Sequence, residues 1–511
     1  MNRKSCRVDA GVLTGLVMAG AVIWMVLASA PKSNAIPAFS RKYQTSCTTC
    51  HNNYPELNDF GEAFKKNGFK FPKDDEVFVK QDPVMLGSKA QKEAFPEAVY
   101  PGEIPGTIPI SFRYEGNFNW NAKQPAPVVA GGGYVPRTDL FVPNTVTIIA
   151  AGSFGPNFSF WIDDDLSAGG SGANGGLGDG WLKYNDLGRI FHLPKNSLNV
   201  RFGQFEPDLP FTQARTYYLS GFDVFNQANV AQNLCPALPL APDTVCQTAN
   251  NGFILGTPQR GIEFGGTPNN GNFNWSVAIT DGTGSSYGGS TSLVTRNTKD
   301  VYLRSSYKFN LERDPESREA IQAAGPTGPR DHTSIRVGGF YYYGTNQQNF
   351  GGTSFGALGL TNTLEEPFYR AGGDLRFKYR HLELFGVGVV GHDDNHFLTV
   401  DSTGLIGTLT PARAVTFTGG FVGGNYWIFP WLIATMRYDF VNSPSDLANG
   451  RSRYQTRNAF RPGYQILLRA NIKIVGEYDR AWQPASYGND ASGNPLFYRP
   501  NTFITGIDYV F

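Results

Sequence analysis

Among 511 residues there are only 5 Cys, 6 His and 5 Met. So few thiols exclude a disulfide-built scaffold and a cysteine-rich metal protein. An excess of one charge is also missing. Lys and Arg number 44 against 43 Asp and Glu, which excludes the basic footprint of a nucleic-acid binder. Only Gly11–Ala30 is apolar and long enough to cross a bilayer as a helix, so a helical multi-span protein is excluded too. What the chain has instead is 60 glycines and 14% aromatic residues, the texture of a large β-structure.

The apolar run follows Arg3, Lys4 and Arg7 and precedes two small-residue sites, Ala28-Ser29-Ala30 and Ser33-Asn34-Ala35. Pro31 would hinder cleavage after Ala30, so the expected cut lies between Ala35 and Ile36, making residues 1–35 a signal peptide. Its removal takes four basic residues and one acidic residue away and leaves a net charge near −2.

Two of the few cysteines stand in Cys47-Thr48-Thr49-Cys50-His51. Thiols three positions apart can both add across the vinyl groups of one haem, and the following histidine is placed as an axial iron ligand. The competing readings are a redox CxxC and half of a zinc site. Zinc needs further Cys or His nearby, and residues 36–106 hold none outside the motif. The pattern therefore predicts one covalent haem c on Cys47, Cys50 and His51. It also agrees with export, because c-type haem is attached outside the cytoplasm.

Residues 36–106 form a small α-helical monohaem cytochrome c unit in this reading. Asn53 as cap, Pro55 in the first turn and Glu56 in a capping box predict a helix carrying Leu57, Phe60 and Phe64 on one face, as an apolar lid over the haem. Asn67-Gly68 is the expected stop. The same stripe is equally the core face of any short amphipathic helix. A second axial ligand is either Met85, the only other His or Met in the unit, or one of the barrel histidines His192, His332 and His381.

From Thr107 to Phe511 the texture changes to short alternating runs broken by Gly, Asn, Asp and Pro. Ile108, Ile110, Phe112 and Tyr114 alternate with polar residues, as do Phe273, Trp275, Val277 and Ile279. The runs predict sixteen strands near 108–120, 142–151, 157–166, 179–186, 197–205, 259–266, 272–281, 299–309, 333–344, 369–379, 382–391, 413–427, 431–441, 458–469, 472–481 and 501–511. Tight connections at Arg380-His381, Phe429-Pro430 and Ala470-Asn471 each join an even strand to an odd one. The odd-to-even connections, such as 206–258 and 392–412, are mostly long. An even strand number with short turns at one end and long loops at the other predicts an all-β membrane protein, an outer-membrane barrel with lipid outside. The last run, with Phe503, Ile507, Tyr509 and terminal Phe511 on one face, resembles the recognition signal of bacterial outer-membrane barrels. Cys235 and Cys246, the cysteines left over, are the expected disulfide of loop 206–258.

Ala38-Phe39-Ser40-Arg41 before the haem motif, Tyr54-Pro55-Glu56-Leu57-Asn58-Asp59-Phe60-Gly61 after it, and Phe64-Lys65-Lys66-Asn67-Gly68 beyond resemble the fused monohaem cytochrome c–porin family of outer-membrane iron oxidases. Ser40 and Lys42-Tyr43 depart from the family pattern without touching a ligand position. Gly203-Gln204-Phe205-Glu206-Pro207 looks like a strand-end motif of phosphate-type porins. The resemblance implies Fe(II) as electron donor at the cell surface and a periplasmic cytochrome or other carrier as acceptor. The alternatives kept beside it are a donor other than iron and a diffusion porin that carries a cytochrome unit. Asp163-Asp164-Asp165 and the set His392, Asp393, Asp394 and His396 map to the external side as candidate Fe(II) ligands; either run is equally a solvated loop.

Overall fold

The computed structural model describes residues 38–71, 75, 79, 84–85, 88–97, 103–104, 106, 108–122, 137–155, 157–168, 176–211, 218–226, 245–247, 253–268, 272–282, 298–311, 333–349, 363–400, 407–442, 457–481 and 501–511. Sixteen antiparallel strands close on themselves. They are β1 (Ile110–Asn121), β2 (Thr138–Phe154), β3 (Phe158–Ala168), β4 (Leu177–Tyr184), β5 (Asn199–Phe205), β6 (Gln259–Gly266), β7 (Phe273–Thr280), β8 (Asp300–Asn310), β9 (Ser334–Asn349), β10 (Thr363–Tyr379), β11 (Leu382–Val400), β12 (Gly407–Phe429), β13 (Leu432–Asn442), β14 (Arg457–Arg469), β15 (Ile472–Ala481) and β16 (Thr502–Val510). Each pairs with its neighbour in sequence. The ring is completed by β16 against β1, with Tyr509 opposite Tyr114.

Alternation sets the faces, and the polarity is inverted relative to a water-soluble protein. In β8, Tyr302, Arg304, Ser306 and Lys308 are buried, whereas Leu303, Tyr307 and Phe309 are exposed. In β13, Arg437 and Asp439 are wholly buried while Met436 beside them is 52% exposed. An apolar exterior on a closed barrel with no free edge is what lipid requires. Short turns at 155–157, 380–381, 430–431 and 470–471 gather at one rim with Phe511, where Phe377–Tyr379, Phe429–Trp431 and Tyr509–Phe511 stack as an aromatic girdle. This is the architecture of the bacterial outer membrane, with that rim on the periplasmic side.

Every one of the sixteen expected runs lies on a strand. Their lengths differ at the outer end, where β11 and β12 continue to Val400 and from Gly407. The expected loop 392–412 is shorter, because His392–Val400 and Gly407–Ala412 continue the two strands.

Residues 38–71 lie inside the wall at the periplasmic end. They comprise α1 (Ala38–Tyr43), a turn at Cys47–Thr49, a hairpin pairing His51–Asn53 with Glu56–Leu57, and α2 (Asp59–Lys66). The helix begins five residues later than the sequence suggests. Asn58, not Asn53, is the cap, its side chain accepting from the Gly61 N–H at 2.8 Å. The chain reverses at Tyr54-Pro55, so Asn53 and Glu56 go to the hairpin. The stop is as expected: Gly68 has φ +71°.

Connections from this plug to the wall are many. The Ala38 N–H donates to Ser111 Oγ (2.9 Å), Asn53 Nδ2 to Gln465 Oε1 (3.2 Å) and Lys473 Nζ to the Tyr54 carbonyl (2.6 Å). Glu56 pairs with Arg376 at 2.6 Å, and Glu62 pairs with Arg336. Further along, Val84–Met85 pairs with Glu103–Ile104. The signal segment 1–35, His332, Cys235 and the side chains of Met85 and Cys246 lie outside the described residues.

Candidate functional site

The Cys47–Thr49 turn is closed by the Cys50 N–H donating to the Cys47 carbonyl at 3.2 Å. Asn58 fastens α2 to this turn. Its Nδ2 donates to the Thr49 carbonyl at 3.0 Å and its backbone N–H to the Cys50 carbonyl at 3.0 Å. Gly61 sits directly against that same Cys50 carbonyl, closer than any Cβ can approach. Only glycine lets the helix lie on the motif.

His51 follows on the hairpin strand, half-buried, its Nδ1 3.2 Å from the Pro55 carbonyl. A carbonyl only accepts, so Nδ1 carries the proton and Nε2 keeps its lone pair. This is the tautomer and orientation that a metal-ligating histidine needs. Burial is the main cause that pushes the imidazole down to about 4, so it is neutral in the physiological range. Burial also pushes the Cys50 thiol up to about 12 and raises Cys47. Such thiols are the opposite of the low-pKa pair of a dithiol redox site.

All three motif residues line a cavity of about 560 Å³ inside the barrel, within the range of cofactor sites. Tyr43, Leu57 and Phe64 form its plug side. Phe60 points away and packs edge-on to Phe71 at 5.0 Å, in the small core behind the lid. The expected lid is therefore Leu57 and Phe64 alone. Among the described residues, no second His or Met lines the cavity, and His192 and His381 are exposed in periplasmic turns.

The roof comes from an unexpected place. Residues 206–211 and 218–226, read from sequence as the start of an external loop, lie in the lumen, the second stretch ending in α3 (Asp223–Asn226). Phe211, Tyr218, Phe222 and Phe225 line the cavity, with Phe222 and Phe421 4.3 Å apart between ring centroids. Polar anchors hold the segment. The Leu219 N–H donates to Glu477 at 3.1 Å, Tyr218 Oη donates to Asn425 Oδ1 at 3.1 Å, and Asp223 pairs with Arg461 at 3.1 Å. Four aromatics and an Asp in a short stretch of a supposedly solvated loop were the available signal, and sequence reasoning missed it.

The acidic run is also elsewhere than expected. Asp163 and Asp165 face the lumen and line the cavity with Asp179. Asp163 accepts from Trp161 Nε1 at 2.7 Å and from the Asp179 N–H at 2.9 Å. Of the histidine set, His392, Asp393 and Asp394 do not converge. His392 and Asp394 share one face of β11, 2.9 Å apart, with His392 stacked on Tyr369. Asp393 faces the lumen, buried against Arg370. The His396 side chain lies outside the described residues. Among the described residues, no group of three or more His, Cys, Asp or Glu is placed to hold a metal ion.

No family model and no curated protein matches the chain. Solved structures similar to it include the outer membrane channel DcaP of Acinetobacter baumannii, 13% identical over 79% of this chain and 96% of that one, with a TM-score of 0.44. The anion-selective porin from Comamonas acidovorans is 11% identical over 79% and 98%, with a TM-score of 0.45. OprB of Pseudomonas putida is 11% identical over 79% and 94%, with a TM-score of 0.41.

Proposed function

We propose that this barrel is an electron conduit: it carries one haem c in its lumen, takes electrons from external Fe(II) and hands them to a periplasmic carrier. The observation behind this reading is that Cys47, Cys50 and His51 open together onto one aromatic-walled cavity inside a transmembrane barrel. A bound haem would supply a one-electron couple between the two membrane faces. The chain's own residues do the rest. Cys47 and Cys50 provide two thiols for thioether bonds, and His51 offers Nε2. Phe64, Phe211, Phe222 and Phe225 keep the cavity apolar. Asp163, Asp165 and Asp179 give the cavity wall a negative field that favours cations over anions. Their carboxylates replace the His392 set as the groups nearest the site.

The plug and residues 206–211 and 218–226 together narrow the lumen. A conduit is consistent with that, and so is a porin with a constricted channel. The porin reading draws on the sixteen-stranded barrel itself, whose size leaves an aqueous channel when nothing fills it. Haem staining on a denaturing gel tests the cofactor. The intact chain is expected to stain, and C47A/C50A to lose the stain. Full staining of the double variant would end this proposal.

A further inference from the structure

We propose that a second cavity, between α2 and the barrel wall at the periplasmic mouth, binds a small inorganic oxyanion that fastens the plug to the wall. This cavity is about 220 Å³; the motif residues do not line it, and it adjoins the larger cavity across Leu57, Lys65, Trp181, Glu206, Leu209 and Phe211, which line both. Liquid water takes roughly 30 Å³ per molecule, so the space suits a tetrahedral oxyanion and a few waters, not an organic cofactor.

Hydrogen-bond and charge accounting points to an anion. Four of the five lining carboxylates are held by arginines: Glu56 by Arg376 (2.6 Å), Glu62 by Arg336, Glu263 by Arg201 (2.7 Å) and Asp208 by Arg304 (3.7 Å). The fifth, Glu206, follows β5 and accounts for at most one further positive charge. Lys65 and Lys66 from the plug and Lys183 from the wall also line the space, and Arg304 and Arg376 are further shared with Asp374 and Glu383 outside it. Neither Lys66 nor Lys183 has an ion-pair partner within 4 Å among the described residues; Lys183 reaches only the Lys66 carbonyl, at 3.3 Å. Two further donors lack any acceptor. The indole N–H of Trp181, a residue 8% exposed, and Nε of Arg201 are buried and unpartnered. Buried donors without acceptors are rare in folded proteins and signal a missing ion or water. A water supplies too few acceptor sites for two ammoniums and two N–H groups, whereas an oxyanion has three or four oxygens and the right sign. Because its donors come from both α2 and the wall, the anion would join the two bodies.

The test uses the full-length protein in detergent and inorganic phosphate as the probe, followed by equilibrium dialysis with labelled phosphate. Saturable uptake near one per chain is expected, weakened at least tenfold in K66M/K183M and unchanged in K299M, whose lysine is an exposed partner of Asp281. Sulfate should compete. Phosphate should also slow protease release of the plug in the parent protein and not in the double variant, a readout that stands if the variant binds its haem normally. Absence of saturable uptake, or equal uptake in K66M/K183M, would overturn the site. Either result is independent of haem staining and leaves the conduit reading to its own test.

Discussion

At Gly61 the amino acid is dictated by one atom, the Cys50 carbonyl oxygen. Gly61→Ala should push α2 off the motif, at a cost of about 1–3 kcal/mol from overpacking, and lower haem-stained yield while the barrel still assembles. Glu56 makes a different prediction. Its carboxyl is buried and shares Arg376 with Glu383, and burial followed by repulsion from Glu383 raises it to about 8. A carboxyl raised on folding stabilises at low pH, fully below its unfolded value, and loses that contribution as pH climbs through about 8. Plug retention should therefore weaken as pH climbs toward about 8, and E56Q should flatten the slope. Limited proteolysis against pH measures it; a parent protein with no slope there contradicts the assignment. Cys47, Cys50 and His51 were visible as a motif from their spacing alone, and the fold brings all three to one cavity. Glu56 and Asn58 were not, because their roles depend on partners at Arg376 and on the Cys turn.

Among elements, the barrel strands were plain in the sequence and the internal pieces were not. Period-two alternation survives wherever one face meets lipid, which is why β1 to β16 all appear in the sequence. It says nothing about a segment folded inside, so residues 206–211 and 218–226 looked like any long loop. The start of α2 was misplaced because Asn53, Pro55 and Glu56 imitate a capping box that the hairpin pre-empts. Two predictions belong here. Arg336→Met takes from Glu62 the guanidinium that, against the effect of burial, holds it well below the usual carboxylate range, and leaves it only Arg376 at 3.6 Å. The plug should become protease-sensitive and single-channel conductance should rise; unchanged conductance would mean that the plug does not block the pore. F222A removes a buried ring from the roof, at about 3–5 kcal/mol by cavity formation. It should admit small reductants to the cavity faster without altering haem staining, as stopped-flow reduction would report.

In the whole molecule, a membrane barrel encloses a cavity lined by Cys47, Cys50 and His51. The exterior was readable because lipid demands a simple pattern. The interior is a set of long-range pairs, such as Lys473 with Tyr54 and Asn53 with Gln465, that leave no local trace. The most direct test is an anaerobic visible spectrum of the purified full-length protein, reduced first with Fe(II) and then with dithionite. The conduit account predicts that Fe(II) alone reduces the haem to nearly the extent dithionite reaches. A haem that dithionite reduces and Fe(II) leaves oxidised, in a barrel with porin-sized conductance, would contradict it.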